Sequence, residues 1–124
     1  MEFTNNFVLE AITREFPETV ISISEPYGML TLEIKKQDLK KVVHHMKDSS
    51  LGFNFLTDIC GIHHPETPEK ELGVIYHLHN LVENLRVRLK VFMPFENAEV
   101  DSLVELFAGA NWMERETFDF YGIK

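Results

Sequence analysis

Apolar residues recur along this chain with two periods, and the points where the period changes mark its elements. Val8, Leu9, Ile12 and Phe16 fall at helical spacing, and Pro17 closes that segment. Val20–Ser24 predicts a short strand and residues 25–28, Glu-Pro-Tyr-Gly, a turn. Beyond the turn Leu30, Leu32 and Ile34 alternate with Thr31, Glu33 and Lys35, so the two segments form a hairpin with one apolar face. Leu39, Val42, Val43 and Met46 then stand at i, i+3, i+4 and i+7, one face of a second helix, with Asp38 placed to favour its first turn electrostatically. Residues 49–52 break it. Residues 53–62 are almost continuously apolar and rich in strand formers, which predicts a central strand. Residues 63–71 carry two prolines among charged side chains and read as an exposed connection. In residues 73–79, Val74, Tyr76 and Leu78 face one way and Ile75, His77 and His79 the other. Val87, Leu89, Val91 and Met93 alternate with Arg86, Arg88 and Lys90, and Pro94 ends this one-sided strand. Val100, Leu103, Val104 and Phe107 predict a third helix closing near Gly109, and a last helical turn or two carries residues 112–121.

The order is helix, hairpin, helix, three strands, helix, helix. The links between the last three strands are too short for parallel crossovers, so those strands pair antiparallel. With Arg86, Arg88 and Lys90 on one side of the sheet, the helices belong on the other. The expected fold is a two-layer α+β domain, a mainly antiparallel sheet with helices packed chiefly on one face, formed by residues 1–124 as a single unit.

Composition narrows the function. The 124 residues are 44% hydrophobic, enough for one packed core, and 12 basic against 20 acidic side chains leave a net charge of −8. Such a surface repels phosphate backbones and anionic lipid heads, which argues against nucleic acid and against direct membrane insertion. No run approaches the ~20 apolar residues of a bilayer-spanning helix, and the first residues lack the basic and apolar regions of a signal peptide. Cys60 is the single cysteine, so no internal disulfide forms and an iron–sulfur cluster lacks ligands. Nor does the chain contain the glycine-rich phosphate loops or the nucleophile elbow that would house a nucleotide, a flavin or an acyl-enzyme.

Two groups of residues invite a chemical reading. His77 and His79 share a strand face, and Cys60, His63 and His64 lie near enough in sequence to approach from a neighbouring strand, a conceivable zinc set. Paired Cys-x-x-Cys spacing is missing, however. The favoured reading is structural: strand and loop histidines at the surface, His44 and His45 in a surface helix, and Cys60 as a small core hydrophobe. No residue is therefore assigned to catalysis, cofactor binding or metal. The second group is the C-terminal segment, where Glu114, Arg115, Glu116 and Asp119 interleave with Trp112, Phe118, Phe120 and Tyr121. Arg115 can reach Asp119 one turn on. Alone, this is a solvated amphipathic helix; with so many aromatics around the charges, it becomes a candidate contact surface whose ions must be paired when covered.

In that segment, Glu114-Arg115-Glu116, two residues, Asp119 and then Phe120-Tyr121 resemble the E-R-E-x-x-D signature of the respiratory-chain NADH dehydrogenase 30-kDa subunit family. Gly109-Ala110-Asn111-Trp112 resembles the G-A-N-W that leads into it. Phe55-Leu56-Thr57-Asp58-Ile59-Cys60-Gly61, Val74-Ile75-Tyr76-His77-Leu78 and Arg86-Val87-Arg88-Leu89-Lys90-Val91 are similar to the family's three successive strands. The family's pattern continues into a Gly-His-Pro loop and a basic stretch, which this sequence does not reach, since it ends at Lys124.

The resemblance implies a non-catalytic accessory scaffold in the peripheral arm of a proton-translocating NADH:quinone oxidoreductase (complex I). FMN, iron–sulfur clusters and quinone would be held by partner subunits and none by this chain. Its neighbours would be the 49-kDa-type quinone-site subunit and the iron–sulfur subunits, at the cytoplasmic face of a bacterial inner membrane. Trp112, Glu114, Arg115, Glu116, Asp119, Phe120, Tyr121 and Gly122 would form the signature and partner interface. The alternatives are the equivalent component of a membrane-bound hydrogenase or F420H2 dehydrogenase, and a small metal-binding module built on Cys60, His63, His77 and His79.

Overall fold

In a computed structural model, which describes residues 3–49 and 51–124, three helices and five strands follow in the order α1 (Asn5–Glu15), β1 (Val20–Ser24), β2 (Leu30–Ile34), α2 (Leu39–Asp48), β3 (Phe55–His63), β4 (Leu72–Asn80), β5 (Leu85–Met93) and α3 (Ala110–Tyr121). The strands form one sheet in the order β1-β2-β5-β4-β3. They are joined as two antiparallel units, the β1–β2 hairpin and the β3–β4–β5 meander. The two units are stitched by a parallel pairing of β2 with β5, Leu30 opposite Val87 and Leu32 opposite Leu89. The chain reaches that parallel register through α2 and the β3–β4 hairpin, a crossover long enough for the purpose.

The periodicities of the first two helices and of β2, β4 and β5 are realised as read. Val8 and Ile12 of α1 and Leu39, Val42, Val43 and Met46 of α2 are buried against Leu30, Leu32 and Ile34, Val74, Tyr76 and Leu78, and Val87, Leu89, Val91 and Met93. The fold is thus the expected α+β arrangement, with the helices on one face of the sheet. Thr4 caps α1, its hydroxyl accepting from Phe7 N at 3.2 Å. Asp38 precedes α2 without capping it; its carboxylate instead accepts from the Thr19 hydroxyl at 3.0 Å, which ties the start of α2 to the segment entering β1.

Two expectations are corrected. The apolar run from residue 53 forms an edge strand, not a central one: β5 occupies the interior, and in β3 only Leu56 and Ile59 are buried. The alternation in β3 is broken by a bulge between Leu56 and Asp58, where Leu56 pairs with Leu78 but Asp58, two residues on, pairs with His77. Without the bulge Leu56 and Asp58 would share a face; with it, Leu56 and Ile59 enter the core while Asp58 and Cys60 face outward. The extra residue, Thr57, donates its hydroxyl to the His77 carbonyl at 3.1 Å.

The second correction concerns the helix predicted over Val100–Phe107, which does not form. Residues 98–107 are an irregular strap. Its backbone groups are claimed from elsewhere: Val100 N donates to Lys124 O at 3.2 Å, Lys124 N to Ala98 O at 2.7 Å, and Leu103 N to the Glu114 carboxylate at 2.7 Å. Leu103 and Phe107 are still buried, so the apolar positions do their packing without the helix.

An edge strand exposes a row of unpaired backbone groups. On β3 the helix α3 closes it, with the Thr117 hydroxyl donating to Ile59 O at 3.2 Å and the Tyr121 hydroxyl to Gly61 O at 3.4 Å. The Tyr121 ring lies where a Cβ on residue 61 would stand, so glycine there is a packing requirement. Gly61→Ala is expected to destabilise the chain by about 1–3 kcal/mol, the usual cost of overpacking, measured from the urea midpoint. Combining it with Tyr121→Ala should remove most of the added cost, a coupling that a double-mutant cycle would read directly.

Candidate functional site

The C-terminal signature lies on α3 and its capping glycine, and its burial pattern sorts it into two faces. Ala110, Glu114 and Thr117 are buried, with Met113, Phe118 and Tyr121 partly so. Trp112, Arg115, Glu116 and Asp119, at i, i+3, i+4 and i+7, are exposed, Trp112 to 64%. Gly122 ends the helix in the left-handed conformation at φ 73°, and Ile123 N returns to Phe118 O at 2.8 Å, which drops Ile123 into the core. The backbone of Phe120 belongs to α3; its side chain lies outside the described residues.

Glu114, expected in the exposed cluster, is instead internal. It is 6% exposed, and its carboxylate accepts from the Ser102 hydroxyl at 2.6 Å and from Leu103 N at 2.7 Å. Its burial also bears on the sheet below: Tyr76 is fully buried, and desolvation, with Glu114 and Asp101 adding to it, pushes its phenol pKa well up. Nor does the Arg115–Asp119 bridge form. Among the described residues no ion pair or hydrogen bond engages the side chain of Arg115, Glu116 or Asp119. The outward face of α3 therefore offers one indole, one guanidinium and two carboxylates without internal partners.

A second cluster, which the sequence suggested only in part, lies on the outer face of the sheet. The register places Thr31, Arg88, His77 and Asp58 in one row across four strands, and Glu33, Lys90, Ile75 and Cys60 in the next. Cys60 Sγ donates to Asp58 Oδ2 at 3.0 Å, and Arg88 Nε donates to His77 Nε2 at 3.1 Å. With Nε2 accepting, the neutral ring carries its proton on Nδ1, and that nitrogen is buried with no partner among the described residues. Burial lowers the His77 pKa, Arg88 lowers it further, and Asp58 opposes them. The Cys60 thiol moves the other way, up to about 11, through burial first and then its bond to Asp58. Cys60 is thus a half-buried outward residue and not a member of the core.

The proposed set of Cys60, His63, His77 and His79 does not assemble. His79 turns to Asn84, with Nε2 3.2 Å from Oδ1, and His63 meets Phe95 edge-on at 5.4 Å between ring centroids. Instead Asp58, Cys60 and His77 each bring one donor atom to within 4.8 Å of the others. Elsewhere, a cleft of about 570 Å³ opens between the end of α1 and α2, lined by Phe16, Lys40, His44 and His45 among others, and takes in none of the signature residues. No helix among the described residues is long and apolar enough to cross a membrane.

Comparison with known proteins agrees with the signature. The family described as "Respiratory-chain NADH dehydrogenase, 30 Kd subunit" matches residues 32–124. The NADH-quinone oxidoreductase C-subunit of Methylobacterium radiotolerans is 39% identical over 115 residues, 92% of this chain and 53% of that protein. Its counterpart in Xanthobacter autotrophicus is 36% identical over 124 residues, 99% of this chain and 58% of that protein, so the chain spans little more than half the length of either relative. Among solved structures, a trypsin-resistant fragment of Nqo5 (1-134) superposes with a TM-score of 0.81 at 28% identity, covering 95% of this chain and 92% of that one. A chain of an archaeal membrane-bound sulfane sulfur reductase gives a TM-score of 0.80 at 20% identity over 96% of this chain and 68% of its own, a likeness of fold.

Two measurements check these placements. Glu114→Ala leaves Leu103 N without its acceptor in the interior and is expected to cost about 2–3 kcal/mol of unfolding free energy, whereas Arg115→Ala should cost at most ~0.5 kcal/mol. Alkylation of Cys60 by iodoacetamide near pH 8 should run on the order of 100-fold slower than for an unhindered thiol, because a pKa moved from 9.0 to about 11 depletes the thiolate, and the rate should climb as pH approaches 11.

Proposed function

This chain belongs to the respiratory-chain NADH dehydrogenase 30-kDa subunit family, and from that premise we propose that it serves as the 30-kDa-type component in the peripheral arm of a proton-translocating NADH:quinone oxidoreductase. Its work is positional: it carries no flavin or iron–sulfur cluster, and holds the subunits that do carry FMN, clusters and the quinone site at fixed separations. Its neighbours are the 49-kDa-type quinone-site subunit and the iron–sulfur subunits, and the assembly lies at the cytoplasmic face of a bacterial membrane. With no catalytic residue of its own, the chain is inert toward NADH and quinols when alone.

The observation that carries this reading is the sorting of the signature on α3. Glu114 and Thr117 hold the helix to the strap and the sheet, which leaves Trp112, Arg115, Glu116 and Asp119 turned outward with no internal role. An exposed Trp with an Arg one helical turn away is the pair of residue types most enriched at interface anchors. Covered by a partner, Arg115 and the two carboxylates need complementary charges from it, because an unpaired buried ion costs several kcal/mol.

The test separates interface from fold. Trp112→Ala and Arg115→Ala should leave the urea midpoint of this chain nearly unchanged. Both should weaken assembly of the oxidoreductase by at least ~2 kcal/mol each, a loss of about thirtyfold in association. Copurification from membranes and NADH:quinone activity would report it. Wild-type assembly in both variants would remove α3 as the docking face.

A further inference from the structure

We propose that Asp58, Cys60 and His77 form a binding site for one borderline-soft divalent cation, with zinc as the natural probe, on the outer face of the sheet. The donors are a carboxylate oxygen, a thiol sulfur and an imidazole nitrogen, all within 4.8 Å of one another, a span that one ion of this class can bridge. They come from two hydrogen-bonded strands, so the backbone holds them in place without a loop having to order. The proposal stands on these residues and does not depend on the family reading or on α3.

The bulge in β3 creates the set. Regular alternation from Leu56 would send Asp58 to the core face and away from His77; the extra residue at Thr57 turns both Asp58 and Cys60 outward, opposite and diagonal to His77. A second observation points the same way. His77 Nδ1 is buried and has no partner among the described residues, although the ring sits between an arginine and a carboxylate. A buried polar nitrogen left unmatched beside a thiol and a carboxylate is a coordination position as much as a hydrogen-bonding one.

Arg88 determines how the site opens. Its Nε donates to His77 Nε2, and metal binding breaks that bond whichever ring nitrogen the ion takes. An ion on Nε2 replaces the arginine directly. An ion on Nδ1 forces the ring proton onto Nε2, where it faces another donor. On binding, the Cys60 Sγ–H bond also breaks: its proton, now shared with Asp58 Oδ2, leaves to solvent and the sulfur lone pair forms the bond to the metal. Arg88 thus competes with the ion for His77 and repels its charge. Three protein ligands leave the fourth tetrahedral position for water or for a donor from a partner.

Titration of the chain with zinc, and with cobalt(II) as a spectroscopic substitute, tests this. The expected result is one ion per chain with a dissociation constant on the order of micromolar, and a sulfur-to-cobalt charge-transfer absorption in the near ultraviolet. Cys60→Ser should abolish that absorption, and Cys60→Ser, His77→Ala and Asp58→Asn should each weaken binding at least tenfold. His63→Ala and His44→Ala should bind as the wild type does. Arg88→Met should tighten binding about tenfold, a gain that no merely destabilising change would produce. Binding that survives Cys60→Ser, or that is lost with His63→Ala, or that is absent even from Arg88→Met, would overturn the proposal.

Discussion

The buried carboxylate of Glu114 fixes what the C-terminal third of the chain can present. The strap over residues 98–107 has no helix and no sheet ladder to satisfy it, and Glu114 takes the Leu103 N–H and the Ser102 hydroxyl in one contact. Charge-assisted bonds of this kind are worth roughly twice a neutral pair in the same setting. Once Glu114 points inward, the orientation of the whole helix follows. At about 100° per residue, Ala110, Thr117, Phe118 and Tyr121 fall on its side, and Trp112, Arg115, Glu116 and Asp119 fall within roughly a 100° arc opposite. The outward face is therefore a consequence of one inward side chain.

The same helix closes the sheet. An uncovered edge at β3 would offer its carbonyls to any passing strand, and α3 answers with two hydroxyls one helical turn apart, from Thr117 and Tyr121, on the carbonyls of Ile59 and Gly61. The aromatic ring that brings the second hydroxyl needs the space that glycine leaves at position 61. Strap, helix and edge strand thus stabilise one another, and Lys124 and Ile123 complete the circuit by tying the end of the helix to Ala98, Val100 and the core.

Hydrophobic periodicity made the first two helices and all five strands legible, because a buried face repeats every two or 3.6 residues whatever it packs against. It failed where satisfaction of the backbone depends on distant groups. Val100, Leu103, Val104 and Phe107 have helical spacing, yet the N–H groups of Val100 and Leu103 are taken by Lys124 and Glu114, which no local pattern reveals. It failed at β3 because a continuous apolar run does not distinguish an interior strand from an edge covered by a helix. In the E-R-E triplet, composition alone treats the two glutamates alike. Their spacing to Thr117 and Tyr121, at i+3 and i+7 from Glu114, was the signal that separates the buried one from the exposed one. His and Cys spacing alone does not reveal the Asp58–Cys60–His77 cluster, because a bulge brings the carboxylate opposite His77.

That bulge serves both faces of the sheet at once. On the inner face it lets Leu56 and Ile59, three residues apart, both enter the core, and it places Gly61 under Tyr121. On the outer face it brings Asp58 into the row of His77 and Arg88. Pairing this sequence without the bulge would misplace residues whichever side of Thr57 kept its register. Regular alternation from Leu56 would turn Asp58 toward the apolar layer, where an ionised carboxylate without a partner costs several kcal/mol, and would turn Ile59 and Gly61 away from the core; regular alternation from Ile59 would instead turn Leu56 outward. Core packing alone is therefore sufficient to maintain the bulge, and the arrangement of thiol, carboxylate and imidazole outside comes with it. The outer cluster is held by forces that have nothing to do with its own chemistry, which keeps its donors in place even while Arg88 occupies the imidazole.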